Sequence, residues 1–146
     1  MIYYEQIALN QQLVSREYSV EREALIAFAT EWDPQPVHID EQAAKQYPTG
    51  LIGSSVHSYA IITKLLAELD AEPPAIIAGL GIDEWRMPNP LRPGDTVRAI
   101  SYVESKRESS SKPDMGILVS VSTLLNQHDE VILTYKSSGL ILKTPV

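Results

Sequence analysis

The sequence predicts an α+β domain. Helical periodicity fills the first half, β-rich runs fill the second, and one helix between them is apolar around most of its circumference. Such a helix has to be enclosed on several sides. The strands are therefore expected to form an antiparallel meander curled around it.

Val20–Trp32 places Leu25, Phe28, Ala29 and Trp32 at i, i+3, i+4 and i+7, one helical face. Ser19 is the expected N-cap, with Glu21 and Glu23 in the first turn. Pro34 ends this helix, because proline disfavours helical geometry in the residue before it. A short helix from about Glu41 to Gln46 has Asp40 as its expected cap. The enclosed helix is Ser54–Leu69, where Lys64 and Glu68, four apart, are the charged residues. Strands are expected over Ala75–Asp83, Thr96–Ser105, Gly116–Asn126 and Glu130–Lys143. Gly79 and Gly81 interrupt the first of them and predict a bulge or a close backbone approach. Pro93-Gly94-Asp95 reads as a turn, and Gln127, His128 and Asp129 as a hairpin connection. The polar, Ser-rich stretch Glu104–Asp114 reads as a mobile loop between strands.

With 146 residues and no interdomain linker, repeat or low-complexity tail, the chain is expected to be one domain, 1–146. The formal charge of −7 opposes general binding to nucleic acid, whose phosphates favour a basic partner. Cysteine is absent, which removes disulfides, thiolate-bound zinc and a thiol nucleophile. The three histidines are scattered without metal-ligand spacing, so no metal and no cofactor are expected. No apolar run is long enough to span a bilayer, and the first residues carry no secretion signal, so no membrane association and a cytoplasmic location are expected.

Two segments carry chemistry. Trp32–Asp40 follows the first helix and holds two prolines, which stiffen it. A stiff loop can bring Asp33 and His38 together around one water as an acid–base unit, since imidazole titrates near neutrality. The same residues also read as a helix terminator with a solvated histidine. The second segment, Thr49–His57, opens the enclosed helix with two glycines and two serines. Its free N–H groups and helix dipole suit a developing oxyanion. Read from the residues alone, ordinary capping by Ser54 or Ser55 is the favoured account. His57 reads as a core or interface histidine with a satisfied hydrogen bond, and His128 as a solvated turn residue.

In this order and separation the segments resemble the MaoC-like dehydratases, a family that includes the (R)-specific enoyl-CoA hydratases. The family's Asp-x-Asn-Pro-x-His-x-Asp stands here as Asp33-Pro34-Gln35-Pro36-Val37-His38-Ile39-Asp40. Its Gly-x-Ile-Ala-Ser-Gly-Trp-His-Thr run stands as Gly50-Leu51-Ile52-Gly53-Ser54-Ser55-Val56-His57-Ser58. Glu84–Thr96 is similar to the family's entry to a central strand, and Asn126–Val131 to its hairpin. Gln35 replaces the usual Asn and Ser55 the usual Gly.

The resemblance implies a hot-dog fold, an antiparallel sheet wrapped around a long central helix, assembled as a homodimer or higher homo-oligomer. It implies a hydro-lyase that reversibly adds water to a 2-enoyl-CoA-type thioester. Asp33 and His38 would hold the water, and the backbone N–H of Ser55 would polarise the acyl carbonyl. Ser54, Thr63 and Arg86 are the expected substrate-binding residues. Arg92 and Arg98 are further candidates for CoA phosphates, since Arg binds phosphate well. The substitutions at positions 35 and 55 motivate an alternative, a non-catalytic acyl-thioester-binding or partner subunit. A hot-dog thioesterase is the other.

Overall fold

The computed structural model describes residues 1–145. Two short strands, β1 (Leu13–Val14) and β2 (Tyr18–Ser19), precede the helices α1 (Arg22–Trp32), α2 (Pro36–Ile39), α3 (Glu41–Ala44) and α4 (Ser55–Ala67). Four long strands follow: β3 (Ile76–Arg86), β4 (Thr96–Glu108), β5 (Met115–Leu125) and β6 (Val131–Leu142). They form a six-stranded sheet in the order β1-β4-β5-β6-β3, with β2 also paired to β4. Every strand pair is antiparallel. No helix among the described residues is long and apolar enough to cross a membrane.

The helix α4 packs on β4, β5, β6 and α1. Ile61, Ile62 and Leu65 from α4 join Leu25, Leu91, Val97, Leu124 and Leu133 in the main core. Burying each such side chain stabilises the fold by about 1.5–3 kcal/mol. The charged pair of α4, Lys64 and Glu68, forms an ion pair on its exposed side and shares Glu68 with Arg16. The enclosed helix and curled sheet are thus as expected.

Several local expectations change. Ser19 is not the cap of α1. It lies in β2 opposite Thr96, and Glu21 stands at the N-cap without a side-chain hydrogen bond. Pairing with β4 claims Ser19 before the helix begins. Trp32 is 64% exposed, so the buried face of α1 runs through Leu25 and Ala29 and stops short of its last turn. The segment after Asp33 is partly helical: Pro36, with its pre-set φ and missing N–H, opens the single turn α2. The stretch expected as a loop after Ser105 continues as β4 to Glu108, because Lys106, Arg107 and Glu108 pair with Leu118, Ile117 and Gly116. The other strands match within a few residues, and β3 shows register shifts around Gly79 and Gly81.

Candidate active site

The chain's connections set the site before any side chain does. Asp33 is the C-cap of α1, its N–H donating to the Ala29 carbonyl at 2.8 Å. Asp40 caps α3 by accepting from the N–H groups of Gln42 and Ala43. Between these anchors α2 turns His38 back toward Asp33. The strand-like segment entering α4 is pinned by Gly53, whose N–H donates to the Leu91 carbonyl at 2.7 Å. The fit is tight: a Cβ would lie 2.9 Å from Leu91 Cδ2 and 3.1 Å from Leu25 Cδ1, so these side chains would have to shift to admit one.

The result joins three sequence segments. Asp33 Oδ2 lies 3.5 Å from His38 Nε2. It also accepts a 2.6 Å hydrogen bond from Ser54 Oγ, and Asp33 Oδ1 accepts one of 2.8 Å from Gln35 Nε2. The other imidazole nitrogen, His38 Nδ1, is 2.8 Å from the Ile52 carbonyl oxygen. A carbonyl can only accept, so Nδ1 carries the proton and a neutral His38 directs the Nε2 lone pair at Asp33. One water can bond both Oδ2 and Nε2 across a gap of this width. His38 is buried and Asp33 half-buried.

Charge follows the same geometry. The Ser54 hydroxyl, then the Gln35 amide, hold the Asp33 carboxyl below the usual carboxylate value of 3.8, and His38 adds to the shift only in its doubly protonated, charged form. Asp33 is therefore an ionised acceptor at neutral pH.

Ser54 serves twice, since its Oγ also accepts from Val56 N–H at 3.2 Å as the N-cap of α4. The N–H groups of His57 and Ser58 reach the Ser54 carbonyl. The N–H of Ser55, the first helical residue, has no protein acceptor among the described residues. A free N–H at a helix start is where negative charge is best received.

Of the expected site residues, Asp33, His38, Ser54 and Ser55 come together. Thr63 does not: it lies two turns along α4, bonds back to the Tyr59 carbonyl at 2.9 Å, and borders a cavity between α4 and the sheet. Arg86 turns onto its own strand, donating to the Trp85 carbonyl. Arg98 pairs with Asp129 at 2.7 Å. Arg92 faces a shallow groove of about 400 Å³ with Arg22 and Lys45. No group of side chains among the described residues could hold a metal ion.

Sequence reasoning missed the Ile52 carbonyl, because backbone groups leave no mark in residue type. It also missed the bond from Ser54 to Asp33. The serine was visible, but not that α1 ends against the start of α4. His57 differs as well. It stacks on Phe28 at 4.3 Å, and its buried Nδ1 has no hydrogen-bond partner.

Comparison with known proteins agrees with this architecture. The chain is 28% identical over 138 residues to the uncharacterized protein YdeM of Bacillus subtilis, covering 94% of this chain and 96% of that one. The crystal structure of a MaoC-like dehydratase from Rhodospirillum rubrum superposes with a TM-score of 0.90 at 36% identity, over 100% of both chains. An R-hydratase from Pseudomonas aeruginosa shares the fold, with a TM-score of 0.76 at 21% identity over 98% of this chain and 87% of that one. The fold is the hot-dog fold. The model of the MaoC like domain matches residues 6–123, and with the 36% identity above it establishes that this chain belongs to the MaoC-like dehydratase family.

Proposed function

We propose that this protein is a hydro-lyase that reversibly adds water to a 2-enoyl-CoA-type thioester. The observation that carries the reading is the pair Asp33 Oδ2 and His38 Nε2 at 3.5 Å, with the histidine tautomer fixed by Ile52. Asp33, already the acceptor of two side-chain donors, is a weak base and orients the water. His38 Nε2 takes the proton as the water oxygen bonds to the β-carbon. The same nitrogen returns that proton to the α-carbon, so one water is consumed and none released.

Electron density moves onto the thioester oxygen as the new C–O bond forms. The free N–H of Ser55 is the donor suited to receive it, worth about 3–4 kcal/mol in the transition state. Acid–base positioning contributes roughly 10²–10⁴-fold beyond that. In the groove lined by Arg22, Glu41, Lys45 and Arg92, Glu41 pairs with Arg22, which leaves Lys45 and Arg92 as the cations for the phosphates of a CoA-type carrier.

The assembly is inferred to be a homodimer through β3. This strand ends the sheet, pairs with β6 alone, and exposes Ile76, Ile77, Leu80 and Ile82. An apolar strand edge with free N–H and carbonyl groups invites pairing with another copy.

Incubation with crotonyl-CoA followed by product separation tests the chemistry. Hydration yields 3-hydroxybutyryl-CoA with the thioester intact. Release of free CoA would instead identify a thioesterase, and binding without turnover a non-catalytic subunit.

A further inference from the structure

Three cations line one groove of a protein whose net charge is −7: Arg22 at the start of α1, Lys45 just past α3, and Arg92 ahead of β4. The chain joins this groove to the Asp33–His38 site at two points. Leu51 lines the groove, and the next residue, Ile52, holds His38 Nδ1. Glu41 lines it too, and follows Asp40, which ends α2.

The three cations are not equally committed. Lys45 Nζ donates to the neutral Gln42 Oε1 at 3.0 Å, and Arg92 Nη1 to the neutral Thr49 carbonyl at 2.7 Å. Neither contact cancels a charge. Arg22 instead pairs with Glu41, the one acidic side chain among the described residues lining the groove. Glu41 is not needed as a helix cap, since Asp40 already accepts from the N–H groups of Gln42 and Ala43. The side chains of Arg22 and Glu41 are 51% and 49% exposed. An ion pair that open to water is weak and easily screened. Phosphate oxygens fit the guanidinium fork as well as a carboxylate does. A phosphate drawn in by Lys45 and Arg92 therefore competes with Glu41 for Arg22 on even terms.

We propose that Glu41 is an exchangeable counter-anion that yields Arg22 to a phosphate of CoA and so sets how tightly the carrier is held. The proposal rests on the hydratase reading only for the carrier's being CoA.

Free CoA has no double bond to hydrate, so calorimetric titration of the intact protein with it reads binding apart from chemistry. Glu41→Gln removes the competitor and is expected to tighten CoA about 2–10-fold at low salt, a gain that shrinks as salt is added. Pantetheine, the same arm without phosphate, should show no gain. Adding Arg22→Gln to Glu41→Gln should cancel the gain, because the freed guanidinium is what the phosphate takes. Glu23→Gln removes an equal charge from the first turn of α1, outside the groove, and should give a smaller gain or none. Unchanged or weaker CoA binding in Glu41→Gln would overturn the proposal, as would no CoA binding by either protein. So would an equal gain with pantetheine or in Glu23→Gln, or a gain that survives loss of Arg22. Tighter CoA binding without crotonyl-CoA hydration would overturn the hydratase reading and leave the role of Glu41 standing. Hydration without the gain would do the reverse.

Discussion

The Asp33 carboxylate is stabilised as an anion by the Ser54 hydroxyl before anything else, and that dependence is measurable. Ser54→Ala removes the donor, so the Asp33 pKa should rise and the acid limb of a pH–rate profile should move to higher pH. The same change removes a helix cap, and thermal unfolding should show a loss of about 0.5–2 kcal/mol. His57 gives a second prediction. Burial holds its pKa below the ordinary 6.5, and Nδ1 has no partner. As pH falls below that ordinary value the unfolded chain takes up a proton that the folded chain refuses, so stability declines on the acid side. His57→Phe, which keeps a ring against Phe28, should flatten the denaturation midpoint between about pH 5 and 7. An unchanged acid-side decline would place the titrating group elsewhere. At this scale the sequence was informative about Asp33 and His38, since two unusual residue types stood in one proline-stiffened segment. It was silent on Ile52, whose contribution is a carbonyl, and misleading on Ser19 and Arg86, whose surroundings come from distant strands.

The elements work by meeting at fixed angles, and the start of α4 is the joint. Gly53 allows the incoming backbone to lie against Leu91 and Leu25, which sets both the Ile52 carbonyl and the Ser54 hydroxyl. Gly53→Ala should lower stability by about 1–3 kcal/mol through overpacking. It should also lower activity by more than the unfolded fraction explains, which is read by comparing rate with the folded population from circular dichroism. The buried character of α4 was legible from its composition. The continuation of β4 to Glu108 was not, because Lys106, Arg107 and Glu108 look like loop residues until β5 is there to pair with them. Residues 13–19 carry no strand periodicity of their own and become β1 and β2 only against β4.

For the whole molecule, one sheet and one helix divide the labour. The N-terminal end of α4 gathers the acid, the imidazole and a free N–H, while its C-terminal half roofs a cavity with hydroxyls on its floor. The edge strand β3 makes self-association the expected outcome. Leu80→Lys should convert a dimer to a monomer in sedimentation velocity with little loss of fold, because Leu80 is exposed in the single chain. The central claim is that Asp33 and His38 together activate water. Its most direct test is the initial rate of crotonyl-CoA hydration by the unaltered protein and by Asp33→Asn, with both shown to be folded. The account predicts measurable hydration that falls by about 10²–10⁴-fold in the variant. Equal rates from the two proteins would contradict it.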